Sequence, residues 1–256
     1  MREYFRIKIF ISVKFTYALL AAVIRADDLA DNVPDDEWQG PSKTGIARSG
    51  SADRQLEQDR RYDDLEAIAK KYWAKQGETG KNRFDARKYW AYGCHCFMLG
   101  DRPMTEMGKG SPVDALDNKC KAYKDCQKCV RGGSEMNGGN KGDSCIGEFT
   151  RYTWKYSTKL SQFVSDNAAG SCERELFECD LQFVKDIYEA KDVFTNDYHA
   201  FWSTTGFDHQ LDSSCPTGGS APVTHECCGG QDKPFYWINL NNQVCEAGAP
   251  KAIQRK

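Results

Sequence analysis

Twelve cysteines in a chain of 256 residues restrict what it can fold into more than any other feature. An even count at this density is rare where thiols are kept reduced and points to a chain that oxidises outside the cell. Counting alone leaves roughly ten thousand ways to pair them. The cysteines do not have to stand in for a core, because 40% of the residues are apolar and 12% aromatic, enough to bury one over one or two domains. With 35 basic against 37 acidic side chains, no overall field draws the chain to a polyanion, so nucleic acid is not expected as a partner.

Residues 1–26 carry Arg2, Arg6 and Lys8 ahead of an uncharged run from Phe15 to Ile24 that closes on Ala21, Ala22 and Ala26, the layout of a signal peptide. The expectation is a secreted, extracellular protein with no spanning helix after the signal. Residues 27–62 read as an acidic disordered segment or propeptide, because eleven acidic residues face five basic ones between Asp27 and Asp64. Arg60-Arg61 is the place where such a propeptide would be cut. From Leu65 onward the charges balance.

Leu65, Ile68, Ala69, Tyr72 and Trp73 repeat at helical spacing and predict an amphipathic helix over about residues 63–75. Ser111-Pro112-Val113-Asp114 has Pro early and acid in the first turn and predicts a second helix over about 113–129. The glycines between Gly132 and Asp143 predict a loop or hairpin. A third helix is expected from Ser171, with Leu176, Phe177, Phe183, Val184, Ile187 and Tyr188 on one face, reaching at most Phe194. Beyond Asn196 the composition predicts disulfide-clamped loops around Cys215, Cys227, Cys228 and Cys245.

Tyr92-Gly93-Cys94-His95-Cys96, then Pro112-Val113-Asp114-Ala115-Leu116-Asp117, then Cys120 and Cys126, resemble the secreted phospholipase A2 family in residue type and order. Tyr152-Thr153 with Tyr156-Ser157 resembles that family's tyrosine-bearing hairpin, and Cys172 with Cys179-Asp180 the start of its second long helix. The resemblance covers about residues 65–195. It implies a mainly α, disulfide-rich fold: two long antiparallel disulfide-linked helices, a small β-hairpin and a loop-rich C-terminal extension. The domain plan is then 63–195 for the phospholipase A2-like domain and 196–256 for the extension. It also implies the bridges Cys96–Cys120, Cys126–Cys179 and Cys145–Cys172, and places Cys94 with one of the last four cysteines. One family bridge is missing at both of its ends, where Lys119 and Asp186 stand as a candidate ion pair.

In active members a helical histidine acts as general base on a water, and the aspartate beside it, with loop carbonyls, holds the calcium that polarises the ester. Here the resemblance puts Tyr123 at the histidine position and Lys124 at the calcium aspartate. A phenol with a pKa of about 10 is a poor base at neutral pH, and an ammonium repels a dication. His95, Phe97 and Leu99 occupy the carbonyl-donor positions in a loop that has lost two glycines and runs longer than usual. Asp180 matches the aspartate that orients the base, and Tyr156 a tyrosine that bonds to it. Tyr123 is expected on Asp180 and Lys124 in the vacated cation position. A lysine there resembles the non-hydrolytic phospholipase A2 homologues of venoms, which are basic where this folded part is neutral.

Other constellations have bland readings. Cys126-Gln127-Lys128-Cys129 has redox spacing but belongs to the disulfide framework, and His95, His199, His209 and His225 are scattered, as for surface or loop residues rather than metal ligands. Trp154, Trp202, Phe235, Tyr236 and Trp237 read first as core that compensates a disulfide knot and second as an interfacial surface. The sequence therefore predicts a catalytically impaired protein that needs no cofactor and binds a phospholipid or fatty-acid ligand, a membrane surface or an extracellular protein. The alternatives are a calcium-dependent phospholipase A2 with a rebuilt site that cleaves the sn-2 ester of glycerophospholipids, and an extracellular structural protein.

Overall fold

The computed structural model describes residues 64–89, 91–97, 108–136, 145, 150–218 and 224–253. The expected signal peptide, the acidic segment with Arg60-Arg61, Leu99 and most of the expected loop over 132–143 lie outside these residues. The fold is an assembly of helices and small antiparallel strand pairs tied by six disulfides, with no free cysteine among the described residues. No helix among the described residues is long and apolar enough to cross a membrane.

Helix α1 covers residues 64–75 and buries Leu65, Ile68, Ala69 and Trp73, the stripe its spacing predicts. Trp73 meets Tyr188 and Phe84 edge-on, with ring centroids 5.0 and 5.1 Å apart. Helix α2 (Ala115–Met136) and helix α3 (Cys172–Glu189) pack side by side. Lys119 pairs with Asp186, Tyr123 with Asp180, and Cys126 with Cys179, so rising numbers on one helix meet falling numbers on the other. Helix α3 starts where Ser171 Oγ accepts the Arg174 N–H at 3.2 Å, an N-cap with Glu173 and Glu175 in the first turn.

Helix α2 outruns the sequence expectation, continuing through Gly132 to Met136 instead of stopping near 129. Glycine in a helix costs about 1 kcal/mol relative to alanine, which biases against helix without terminating it where the preceding turns are anchored. Here the Cys129 anchor lies one turn upstream.

Two compact units are distinguished. The described part of the smaller is Lys155–Gln162, with strand β1 (Lys155–Ser157) and the first residue of β2 (Gln162–Val164). The larger holds the helices and the C-terminal extension. That extension is clamped by disulfides as its composition suggests, but its last part is strand rather than loop. It forms β3 (His225–Gly230) antiparallel to β4 (Lys233–Asn239), and β5 (Gln243–Glu246) antiparallel to β6 (Ala249–Ala252), and β4 packs on both α2 and α3.

The cysteines explain why this stretch becomes sheet. Neighbouring residues of a strand point to opposite faces. Cys227 therefore reaches Cys129 on α2, while Cys228 reaches Cys245 on β5. Removing the first of these bridges with Cys129→Ala and Cys227→Ala should cost about 2–4 kcal/mol. Cys94–Cys215 already shortens the loop it closes, which keeps the loss below that of an isolated crosslink. A thermal melt of the double variant checks this.

Candidate functional site

The start of α2 is organised by two carboxylates that also hold the Tyr92–Cys96 segment. Asp114 Oδ1 accepts the Asp117 N–H at 2.8 Å, and Asp114 Oδ2 accepts the Tyr92 hydroxyl. Asp117 is fully buried and accepts the backbone N–H groups of Cys94, His95 and Val113 at 2.8, 2.7 and 3.0 Å. Gly93 has φ +60°, and a β-carbon on it would stand 2.6 Å from Asp117 Oδ1, so only glycine lets the segment close on this carboxylate. Reading the sequence treated these residues only as motif markers. Their work is to tie the start of α2 to the Tyr92–Cys96 segment.

Helical geometry then determines what each side chain faces. Cys120 and Cys126 project about 120° apart around α2, the first bonded to Cys96 and the second to Cys179 of α3. Tyr123 lies about 60° from Cys126 and so faces α3, whereas Lys124 lies about 40° from Cys120 and faces the Cys94–Cys96 segment. Asp125 falls about 100° or more from both. It meets Lys121 Nζ at 2.7 Å and Lys128 Nζ at 3.4 Å on its own helix.

Tyr123 is buried, stacks on Phe183 with centroids 4.2 Å apart, and donates its hydroxyl to Asp180 Oδ1 at 2.6 Å. Asp180 is also fully buried, and its Oδ2 accepts the hydroxyl of Tyr152 at 2.6 Å. Tyr152 is thus a second tyrosine on Asp180, one the sequence reading did not name, and the expected Tyr156 stands in β1.

Lys124 is 4% exposed, and its Nζ lies 2.7 Å from where a β-carbon on Gly108 would stand, a spot that the Cys94 carbonyl oxygen also crowds. Burial, reinforced by the nearby Lys128 ammonium, pushes the Lys124 pKa down to about 8. His95 is buried beside it, contrary to the expectation of surface histidines. Its Nε2–H donates to the Gly110 carbonyl at 3.0 Å, leaving Nδ1 buried without a partner. Burial first and the Lys124 charge second push the His95 pKa down to about 4, so the ring is neutral at pH 7. Phe97 is buried against His209 with centroids 4.5 Å apart.

Comparison with known proteins agrees with this geometry. Basic phospholipase A2 homolog 2 of Bothrops asper is 31% identical over 124 residues, 48% of this chain and 72% of that relative. Its namesake from Bothrops brazili is 31% identical over 121 residues, 47% of this chain and 79% of the relative. The LmutTX homolog of Lachesis muta muta is 31% identical over 122 residues, covering 48% and 81%. The chain belongs to the phospholipase A2-like family. No family model matches it. The pairings Cys96–Cys120, Cys126–Cys179 and Cys145–Cys172 are those implied by the resemblance, Cys94 bonds Cys215, and Lys119 Nζ lies 3.2 Å from Asp186 Oδ1.

Sequence reasoning missed the buried polar groups of this phospholipase A2-like site. Gln127, 2% exposed, has neither amide atom hydrogen bonded, and His199 is buried, with Nδ1 accepting the Phe201 N–H and Nε2–H donating to the Arg87 carbonyl. Only an odd placement of polar residues in apolar surroundings could have signalled them.

Two outcomes follow from the site. Tyr123→Phe leaves a buried carboxylate oxygen short of a donor and should cost about 1–3 kcal/mol by thermal melting. Lys124→Met should be more stable than the parent at pH 7, by up to about 3 kcal/mol. Lys124 binds its proton less tightly folded than unfolded, so the parent gains stability as pH rises from about 8 towards 10.5 and the gap closes. Melts of both proteins at pH 7 and 10 check the sign.

Proposed function

We propose that this is a secreted phospholipase A2-like protein that binds lipid without hydrolysing it. The observation that carries the reading is the pair Tyr123 and Lys124. The Tyr123 hydroxyl donates a hydrogen bond to Asp180, and a phenol, with a pKa of about 10, does not replace an imidazole as a base at neutral pH. Asp180 keeps a structural role, holding Tyr123 and Tyr152 together.

The residues present do not fit a calcium ion. Lys124 brings an ammonium to the place where the family has a carboxylate, and the adjacent Asp125 is taken by Lys121 and Lys128. Loss of the base alone removes about 10²- to 10⁴-fold of rate. Six disulfides support the extracellular placement.

Purified protein should release no fatty acid from phospholipid vesicles with or without calcium, yet should sediment with them. Calcium-dependent release that Asp180→Asn abolishes would establish the rebuilt-enzyme reading instead. Tyr123→His combined with Lys124→Asp should gain calcium affinity by calorimetry. If no calcium binds, the altered loop rather than Lys124 is what excludes the ion.

A further inference from the structure

The C-terminal extension does not seal against the two long helices. Between α2, α3 and strands β4, β5 and β6 it leaves a cavity of about 260 Å³ that opens to solvent. Its aromatic wall comes from β4, where Phe235 and Tyr236 are half-buried and Trp237 is 41% exposed. His225 stacks on the Trp237 indole with centroids 5.5 Å apart, so the ring is held in place although much of it meets solvent.

The charged side chains of the wall are already paired. Lys121 Nζ lies 2.7 Å from Asp125 Oδ2, and Asp125 Oδ1 meets Lys128 Nζ at 3.4 Å. Asp186 Oδ1 lies 3.2 Å from Lys119 Nζ and accepts the Gln182 side-chain N–H at 3.0 Å. A ligand ion entering here would lose water and find each counter-charge engaged.

What the wall leaves unused is neutral. Among the described residues the Asn118 amide, Gln182 Oε1, Gln243 Nε2 and the Tyr236 hydroxyl have no hydrogen-bond partner, while Gln243 Oε1 accepts the Asn239 N–H at 3.1 Å. These groups offer donors and acceptors together. A fatty chain would cover them without replacing their bonds to water.

Each side of the cavity is crosslinked to the next. Cys126–Cys179 joins α2 to α3, Cys129–Cys227 joins α2 to β3, and Cys228–Cys245 joins β3 to β5. The ligand therefore meets a wall that is formed in advance.

A pyranose ring matches this wall on three counts. It carries no charge, and each of its hydroxyls both donates and accepts. One of its faces is a run of C–H groups, whose slight positive charge suits the negative face of an indole. The cavity is smaller than the roughly 300–1,000 Å³ that hold drug-sized ligands, so it takes one ring and not a chain. We propose that the cavity between α2, α3 and β4 is a binding site for an uncharged sugar ring, stacked on Trp237 and hydrogen bonded by Asn118, Gln182 and Gln243. The proposal goes beyond the lipid-binding reading and does not rest on it.

The isotopically labelled full chain is titrated with the methyl glycosides of glucose, galactose and mannose and followed by nuclear magnetic resonance. The Trp237 indole N–H, assigned with Trp237→Phe, should shift with at least one of them, with a Kd of about 1 mM. Trp237→Ala, followed on the Gln182 and Gln243 amides, should weaken binding about tenfold or more, and Asn118→Ala about two- to tenfold. Asn118 is exposed and its amide unbonded, so Asn118→Ala should melt like the parent, which separates lost binding from lost folding. Phe201→Ser, away from the cavity wall, should bind like the parent.

No shift with any of the three glycosides overturns the proposal. So do shifts that Trp237→Ala and Asn118→Ala leave equally strong, which put the sugar elsewhere. A response to inorganic phosphate or adenosine but to no glycoside overturns the class of ligand. Where the glycosides bind, retention of a desialylated N-glycan on the immobilised chain assigns the ring to the end of a glycan, and binding without such retention assigns it to free sugar; both support the site.

Discussion

Two covalent bonds on one helix govern this protein. Cys120 and Cys126 lie under two turns apart on α2, and each is bonded to a different neighbour, the Tyr92–Cys96 segment and α3. A helix held at two points on different sides can neither rotate nor slide, so every side chain between them has its direction assigned. Lys119 meets Asp186, Tyr123 meets Asp180, and Lys124 meets the Cys94–Cys96 segment as consequences of that one constraint.

The same constraint lets α2 be enclosed. Residues 123–127 are all buried, and five consecutive helical positions sweep more than a full turn, so the helix is covered around its whole circumference. Segment 92–96, helix α3 and strand β4 each supply part of the cover. Burial on all sides is what depresses the Lys124 amine and keeps His95 neutral. It also explains why Asp125, pointing away from both staples, is buried with lysines on its own helix for partners. A helix so enclosed is a poor place for fresh chemistry and a stable base for a surface loop.

The C-terminal extension does two separate jobs around that base. Its hairpins lie over α2 and α3 through β4 and Cys129–Cys227, finishing the core. Its first stretch, pinned by Cys94–Cys215 and His199, is built outward and keeps its aromatic rings in solvent. A core role and a surface role for the extra aromatics were alternatives at the level of composition. The fold uses both, with Trp154 inside and Trp202 and Trp237 exposed.

Periodicity made α1 and the apolar face of α3 legible, because burial of a stripe repeats with the helical turn. The resemblance to the phospholipase A2 family made the three implied bridges and the Tyr123–Asp180 partnership legible, because it carries each motif position over together with its partner. Three things depended on packing across the chain. Tyr152 meets Asp180, α2 runs on through Gly132, and the tail is sheet because adjacent Cys227 and Cys228 bond to opposite sides. The sequence by itself determined the helix register and which residues stand at positions 123 and 124, since the motifs that carry the family resemblance lie in order along it. The tertiary structure alone decided which polar groups are buried and which aromatics are exposed, since those depend on what distant segments cover.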